Sequence, residues 1–364
     1  QRQMCIRDSG IESTRYLAVD ESRMLADPAR YYKGGKPDLQ LFDKKLYEVN
    51  PDDKVAIARA AAEEVLGKDE RIISVDSSYS DGEGSSYRLI SNGFEGESKS
   101  TWFSVSASVS IKGEGEARPQ DYWYDSALFY DKLTKTGIGA KALERVLRKL
   151  GQKKAKSGKY TMVVDPMNVG NLLSPMLSAL YGSALQQKNS FLMDKLDTKV
   201  ASDLFTLRDE PHAIGANGSR YFDNEGVATE PRTVFDKGVL KTYFIDTYNG
   251  KKMDIAPTIS APSRLILTPG DKDLNGLVAD IKQGILVTGF NGGNSNSSTG
   301  DFSYGIEGFL IEDGKLTQPV NEMNVTGNMV TLWNSLVAVG NDPQPNRSWQ
   351  IPSLVFEGVD FSGL

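Results

Sequence analysis

The chain has 364 residues, 39% hydrophobic and 25% charged, with a net charge of −6, one histidine (His212) and one cysteine (Cys5). A single cysteine excludes an internal disulfide, and one residue of each type is too few for a self-sufficient zinc site or a histidine-based nucleophile pair. The acidic balance gives no support to nucleic-acid binding, and no apolar run approaches the roughly 20 residues needed to cross a membrane.

Residues 1–9 (QRQMCIRDS) lack an initiating Met and any periodicity; they read as a leader foreign to the native protein, with Cys5 inside it. Residues 10–155 read as an N-terminal α+β domain, incomplete at its start. Asn50-Pro51-Asp52-Asp53 combines an N-cap, a proline at the first helical position and acids in the first turn. A helix is expected from there to Val65, stopped by Gly67. Arg71 to Val75 and Tyr87 to Ile90 read as two strands, and Asn92-Gly93 as a hairpin turn. Val105, Ala107, Val109 and Ile111 alternate with Ser104, Ser106, Ser108 and Ser110, the period of a half-buried strand. Asp121 to Tyr124 continues this antiparallel meander. A second helix is predicted over Gly137 to Leu150, ending at Gly151. The cluster Lys153, Lys154, Lys156 and Lys159 reads as a solvated linker past a helix C-terminus rather than a phosphate patch, and the domain boundary is placed there.

Residues 156–364 read as a β-rich C-terminal domain, making the whole chain α+β. Tyr160 to Val164 is a predicted strand. Asn168 to Ala184 is a predicted helix with Leu172, Leu173, Met176, Leu177 and Leu180 on one apolar face, kinked or restarted at Ser174-Pro175. Beyond Glu225 come short strands and the turns Asp236-Lys237-Gly238 and Glu312-Asp313-Gly314. Residues 291–300 (NGGNSNSSTG) read as a polar loop with no preferred conformation. They lack the ending of a phosphate loop and suit a substrate-proximal lid or a plain connection equally.

Among candidate sites, His212 sits beside Asp209 and Glu210 but has no nucleophile elbow to serve, so it reads as a loop histidine. Asp223 and Glu225 offer carboxylates to a hard cation, yet Gly226 and the Val-Ala-Thr run after it favour a turn between strands. A hydrolase built on Asp223, Glu225, Asp301 or a serine has no acid–base pair that can be named.

Five segments in order resemble the TldD/PmbA family, in its TldE (PmbA) branch: Gln120 to Tyr124, Ser190 to Leu196, Tyr221 to Thr229, Thr299 to Gly305 and Val337 to Asp342. The likeness spans about positions 40 to 364, so the chain is expected to start part-way through the family's N-terminal domain. The resemblance implies a cytoplasmic peptidase system for unfolded or precursor polypeptides, formerly called modulator of DNA gyrase. In it a TldD-type subunit holds the metal with a His-Glu-x-x-x-His helix and a late cysteine. The register of Ser190 to Leu196 puts those helix positions on Leu173, Ser174 and Ser178, and no cysteine lies near Asn341-Asp342. The resemblance therefore implies a chain without a cofactor or catalytic residue of its own, paired with a metal-bearing TldD-like subunit. The alternative is a homodimeric peptide-binding or scaffold protein. Asp223, Glu225, Gly226, Thr299, Gly300 and Asp301 are the expected peptide-binding or interface residues, in a protein that binds neither nucleic acid nor membrane. Residues 249–262 and 291–300 depart from the usual family composition.

Overall fold

A computed structural model describes residues 2–364 except for the side chains of Arg2, Gln3 and Cys5, so the expectation on Cys5 lies outside the described residues. With 35% strand against 21% helix, the fold is the predicted α+β class, an antiparallel sheet with helices followed by a β-rich region. The chain opens with α1 (Arg2–Thr14), in a stretch given no element from sequence. Its described side chains, Met4, Ile6 and Ile11 included, face solvent. A helix with no buried face leaves no amphipathic period to read.

Helix α2 (Pro51–Glu63) starts as its cap dictates: the Asn50 side chain accepts the Asp53 N–H at 2.8 Å. It lies against a sheet of β1 (Ile72–Ile90), β2 (Phe94–Ile111) and β3 (Gln120–Ala127), antiparallel in that order. Here the sequence reading is corrected. The two strands expected at Arg71–Val75 and Tyr87–Ile90 are the ends of a single strand. Its Ser, Gly and Asp middle carries no strand propensity but pairs with β2 from Asp76↔Ser108 to Ser86↔Ser98. The predicted alternation in β2 holds, with Val105, Ala107, Val109 and Ile111 fully buried under α2 and α3 (Ile138–Leu147). Gly139 lets the two helices touch, because a Cβ there would lie 1.9 Å from the Ala61 carbonyl oxygen.

The second half begins with β4 (Gly158–Val164), α4 (Gly170–Ser178) and α5 (Gly182–Gln186). The single helix expected over 168–184 is therefore two, and the break falls after Pro175 rather than at it. Gly182 N–H donates to the Phe244 carbonyl at 2.7 Å, and Phe244 N–H to Leu180 at 2.9 Å, which draws the backbone out of the helix. Pro175 stays inside α4, whose buried side chains Leu172, Leu173, Met176 and Leu177 flank it on both sides.

A small five-stranded sheet follows, in the order β13-β8-β5-β6-β7. It contains β5 (Leu207–Asp209), β6 (Arg232–Asp236), β7 (Val239–Leu240) and β8 (Leu265–Leu267), joined late in the chain by β13 (Trp349–Gln350). Between its strands lies α6 (Thr247–Met253), and after it α7 (Leu274–Ala279). The larger sheet is built from β4, β9 (Gln283–Ser295), β10 (Asp301–Glu312), β11 (Lys315–Asn328), β12 (Leu336–Val339) and β14 (Leu354–Ser362), with α8 (Met329–Asn334) between β11 and β12. Pairing of Asn324–Thr326 with Asp360–Ser362 joins β11 to β14 and closes five of these strands into a ring. Strand β4 is buried on both faces: Met162 and Val164 join the main core with α4 and α8, while Val163 packs under α7. The two predicted Gly turns are hairpins with both central residues left-handed, Lys237-Gly238 and Asp313-Gly314.

A second correction concerns residues 291–300. Residues 291–295 belong to β9 and pair with β10, as in Tyr304↔Gly293 and Ser303↔Asn294. Gly293 has φ 98° and approaches so closely that a Cβ would sit 2.1 Å from the Ser303 carbonyl oxygen. The remaining turn is ordered by the Asn296 side chain, which accepts the N–H groups of Ser298 and Thr299. No helix of the described residues is long and apolar enough to cross a membrane.

The two halves meet at a group of four charges, of which Asp121 and Lys149 are buried and Arg145 and Glu307 half-buried. Lys149 Nζ lies 2.7 Å from Glu307 Oε1 on β10 and 3.2 Å from Asp121 Oδ2 on β3, and also donates to the Gln120 carbonyl. Arg145, one helical turn before Lys149, lies 3.2 Å from Asp121 Oδ1. Removing one partner strands a buried charge, a loss of about 3–5 kcal/mol. Lys149→Met is therefore expected to lower the urea midpoint strongly. The Lys149→Met/Glu307→Leu pair should cost clearly less than the sum of the two single changes, whereas additive single losses would refute coupling across the seam.

Candidate functional site

Helix α4 carries the three positions aligned with a metal motif, and it does not bring them together. Leu173 is fully buried in the main core, whereas Ser174 and Ser178 are exposed, one turn apart on the opposite face. The set offers one alkyl group and two hydroxyls pointing different ways. A transition metal needs convergent nitrogen, sulfur or carboxylate donors, so such an ion does not fit there. At the late position, Asp342 is occupied as a brace. Its carboxylate accepts the Leu274 N–H at 3.0 Å, the Ser353 N–H at 3.0 Å and the Ser353 hydroxyl at 2.8 Å, pinning the start of α7 to the residue just before β14.

Thr299, Gly300 and Asp301 form a knot beside the end of α4. The Asp301 carboxylate accepts the Thr299 hydroxyl at 2.7 Å and the Asn328 amide at 2.9 Å, and these bonds hold its pKa below the ordinary value, Asn328 contributing most. Gly300 is buried under the Phe191 ring, and its carbonyl accepts the Met329 N–H at the start of α8. Ser190, which precedes Phe191, donates its hydroxyl to the Ala179 carbonyl just after α4. Thr299 and Asp301 remain exposed. The knot thus presents an ionised carboxylate and a hydroxyl on a braced rim.

Asp223, Glu225 and Gly226 lie in a second, separate loop. Asp223 is 2% exposed; its Oδ1 accepts the N–H groups of Glu225 and Val227 at 2.9 and 3.0 Å, and its Oδ2 the Ser260 N–H at 3.0 Å. Glu225 turns the other way and accepts the Thr247 N–H and hydroxyl at the start of α6; burial raises its pKa. Gly226 has φ 80° and lies under Phe94, where a Cβ would come within 2.6 Å of the ring. The turn expected from sequence forms here, with Phe222 bridged to Ala228. The two carboxylates diverge, and Asp223 has no oxygen turned to solvent or ligand. Among the described residues no hydrogen bond links this loop to the Thr299–Asp301 knot.

His212 lies half-buried against Tyr221, its Nε2 3.0 Å from Thr229 Oγ1. The Thr229 hydroxyl donates to the Arg220 carbonyl, so the imidazole donates to Thr229, and burial lowers its pKa. That arrangement is structural. Sequence reading missed the groups that shape the neighbouring loop. Asp209, 2% exposed, accepts the Ser263 and Arg264 N–H groups at 2.9 and 2.8 Å, and burial raises its pKa. Arg220 donates to the Ser263 hydroxyl and the Ala261 and Pro262 carbonyls. Asp165, 4% exposed at the end of β4, has its pKa pushed up to about 6 by burial, against the pull of Asn168 and Arg145. Nothing in the local sequence marks these residues as buried.

The model of the PmbA/TldA metallopeptidase C-terminal domain matches residues 157–363, and that of the central domain residues 44–150. A metalloprotease PmbA homolog of Haemophilus influenzae is 29% identical over 98% of the chain and 79% of its own length. A crystal structure from Bacteroides thetaiotaomicron, described as a candidate modulator of DNA gyrase, is 72% identical, covers 100% of the chain and 84% of its own, and superposes with TM-score 0.98. TldE from Thermococcus kodakarensis covers 97% of the chain and 82% of its own, at 22% identity and TM-score 0.79, a likeness of fold.

Asp223→Ala leaves three buried or half-buried N–H groups without an acceptor, each worth about 1–3 kcal/mol. A marked loss of thermal stability is expected, larger than for Asp223→Asn, which keeps one acceptor oxygen. Equal, small losses would remove the brace role. A second expectation follows from Asp165. Its folded pKa lies above the unfolded one, so protonated Asp165 favours folding fully below about pH 4. That contribution is lost as pH rises through about 6. Asp165→Asn should therefore stabilise the protein relative to wild type at neutral pH, by about 2–3 kcal/mol at most, and little at acid pH. Urea midpoints at the two pH values decide it, and a gain independent of pH would refute the assignment.

Proposed function

The chain belongs to the PmbA/TldD metallopeptidase family, and from that premise we propose that it is a non-catalytic, TldE-like subunit of a TldD/TldE-type complex. In this reading it acts in the cytoplasm on unfolded or precursor polypeptides, and its partner is a TldD-like subunit that holds the metal. The observation that carries the reading is α4: Leu173 belongs to the core while Ser174 and Ser178 face solvent. This chain then contributes walls and support rather than a reacting group.

Peptide contact in this reading falls to the Thr299–Asp301 rim, whose carboxylate and hydroxyl are exposed and braced. Asp223, Glu225 and Gly226 act one layer back, fixing the loops that face the partner or the peptide. The strand edge of β1, at the end of its sheet, offers main-chain groups to an extended polypeptide. Strand addition of this kind reads backbone more than side chains, which suits substrates without fixed structure.

Co-expression with a homologue that carries a His-Glu-x-x-x-His helix tests the proposal. The expected result is a stoichiometric complex, with metal and cleavage of an unstructured peptide appearing only when both chains are present. Recovery of this chain only with itself would favour a homodimeric peptide-binding scaffold. Cleavage by this chain alone, or metal bound to it in stoichiometric amount, would overturn the proposal.

A further inference from the structure

We propose that the cleft between the β1–β2 ribbon and the 219–224 loop binds an aromatic monocarboxylate, with Arg88 as the anion-binding residue. The cleft encloses about 640 Å³, within the range of small-ligand sites. The 36–42 segment bounds it on a further side.

Its chemistry follows from strand register. Arg88 on β1 lies opposite Gly96 on β2, and by the two-residue period Ser86 and Ser98 share its face of the ribbon. Gly96 is bare because a Cβ there would press to 2.7 Å from the Phe94 ring and 3.0 Å from Phe222. The Phe94 and Phe222 rings therefore fill the space beside Gly96, on the face of the ribbon that carries Arg88. The other three cations of the lining are already engaged, Lys36 with Glu230 and Lys99 with Glu83, each at 3.2 Å, and Arg220 with the Ser263 hydroxyl and the Ala261 and Pro262 carbonyls. Arg88 is half-buried, and among the described residues no carboxylate lies within ion-pair distance of it. A partly desolvated guanidinium without an acceptor is costly, and its planar fork matches a carboxylate.

The remaining walls select the body of the ligand. Tyr32 stacks on Tyr221 at 5.2 Å and 12°, and Phe222 continues this aromatic wall. Phe42 also lines the cleft, with the Lys99 ammonium 3.9 Å from its ring centroid. Such walls take a flat ring. Asp38 and Glu97 also line the cleft. With Asp223 also in the lining and Lys36 and Lys99 paired to acids, Arg88 is the one lining cation left without a partner among the described residues, which fits a single carboxylate. Glu97 pairs with Tyr87, so its side chain leaves the ribbon on the face opposite Arg88. A ring bearing one carboxylate can be a free aromatic acid or the C-terminal aromatic residue of a peptide.

Calorimetric titration of the full chain with phenylacetate, N-acetyl-Ala-Phe and the C-terminal amide of that dipeptide tests the assignment. Both acids are expected to bind, and the amide at least about tenfold more weakly. Arg88→Ala should lose about tenfold for the acids and nothing for the amide, with Arg88→Lys in between, provided both variants melt with wild type. A dipeptide acid far tighter than phenylacetate assigns the site to peptide termini, and equal affinities assign it to free acids. Equal binding of acid and amide, an unaffected Arg88→Ala variant, or no binding by any probe would overturn it. None of these outcomes depends on the partner subunit.

Discussion

Four charges at the seam between the helix-backed sheet and the strand ring, Lys149 and Asp121 buried and Arg145 and Glu307 half-buried, set the relative placement of the two halves. Arg145 leaves the last turn of α3, and Lys149 follows four residues later in the turn just past its end. Asp121 meets both from β3, and Glu307 meets Lys149 from β10. The two positive and two negative groups balance. Gly289 stays bare beside Glu307, where a Cβ would lie 2.6 Å from its carboxylate oxygen. Desolvating such a group costs nearly what its attractions return. Its value lies in geometry, since a slip along either surface leaves a charge unpaired. Held in this way, the β1–β2 ribbon reaches across to the second half, where Phe94 at its tip enters the main core beside Tyr31 and Phe222. The cleft under the ribbon exists because both of its ends are fixed.

Much of this fold is legible in the sequence where one residue type has one local job. The Asn50 cap, the alternation of β2 and the two Gly hairpins depend on neighbours a few positions away, and each forms as read. The misreadings share a cause. The middle of β1 and residues 291–295 are poor in β-formers and take their conformation from the partner strand. The break after α4 is imposed by Phe244, more than sixty residues later. Pairing across such distances leaves no mark on either segment alone.

The candidate site was legible only in outline. Asp223 and Glu225 sit two positions apart, a spacing that suits a cation site or a turn equally; the choice is made by Ser260 and Thr247, which satisfy them separately. Asp165, Asp209 and Arg220 are invisible in sequence because a buried charge looks like an exposed one until its partners are known. Arg88 is the inverse case. It stands out because the register places a glycine opposite it and no acid beside it.

The state of α4 follows from a conflict between packing and ligation. Positions 173 and 178 are five apart, which at 3.6 residues per turn separates them by about 140° around the helix. Both can face one ion only if the helix exposes a broad face to it. Here that option is closed, because Leu173 joins Leu172, Met176 and Leu177 in the core beneath the strand ring, and only Ser174 and Ser178 keep solvent access. Placing an imidazole at 173 would bury a polar ring among aliphatic side chains with no partner, at a cost of several kcal/mol. The helix therefore cannot regain a metal site by substitution at the motif positions alone. It would also have to turn, giving up the packing that joins it to α8 and β4. Under the subunit reading, this is the physical reason the chemistry resides in a second chain: the first of the motif positions, Leu173, holds the fold instead.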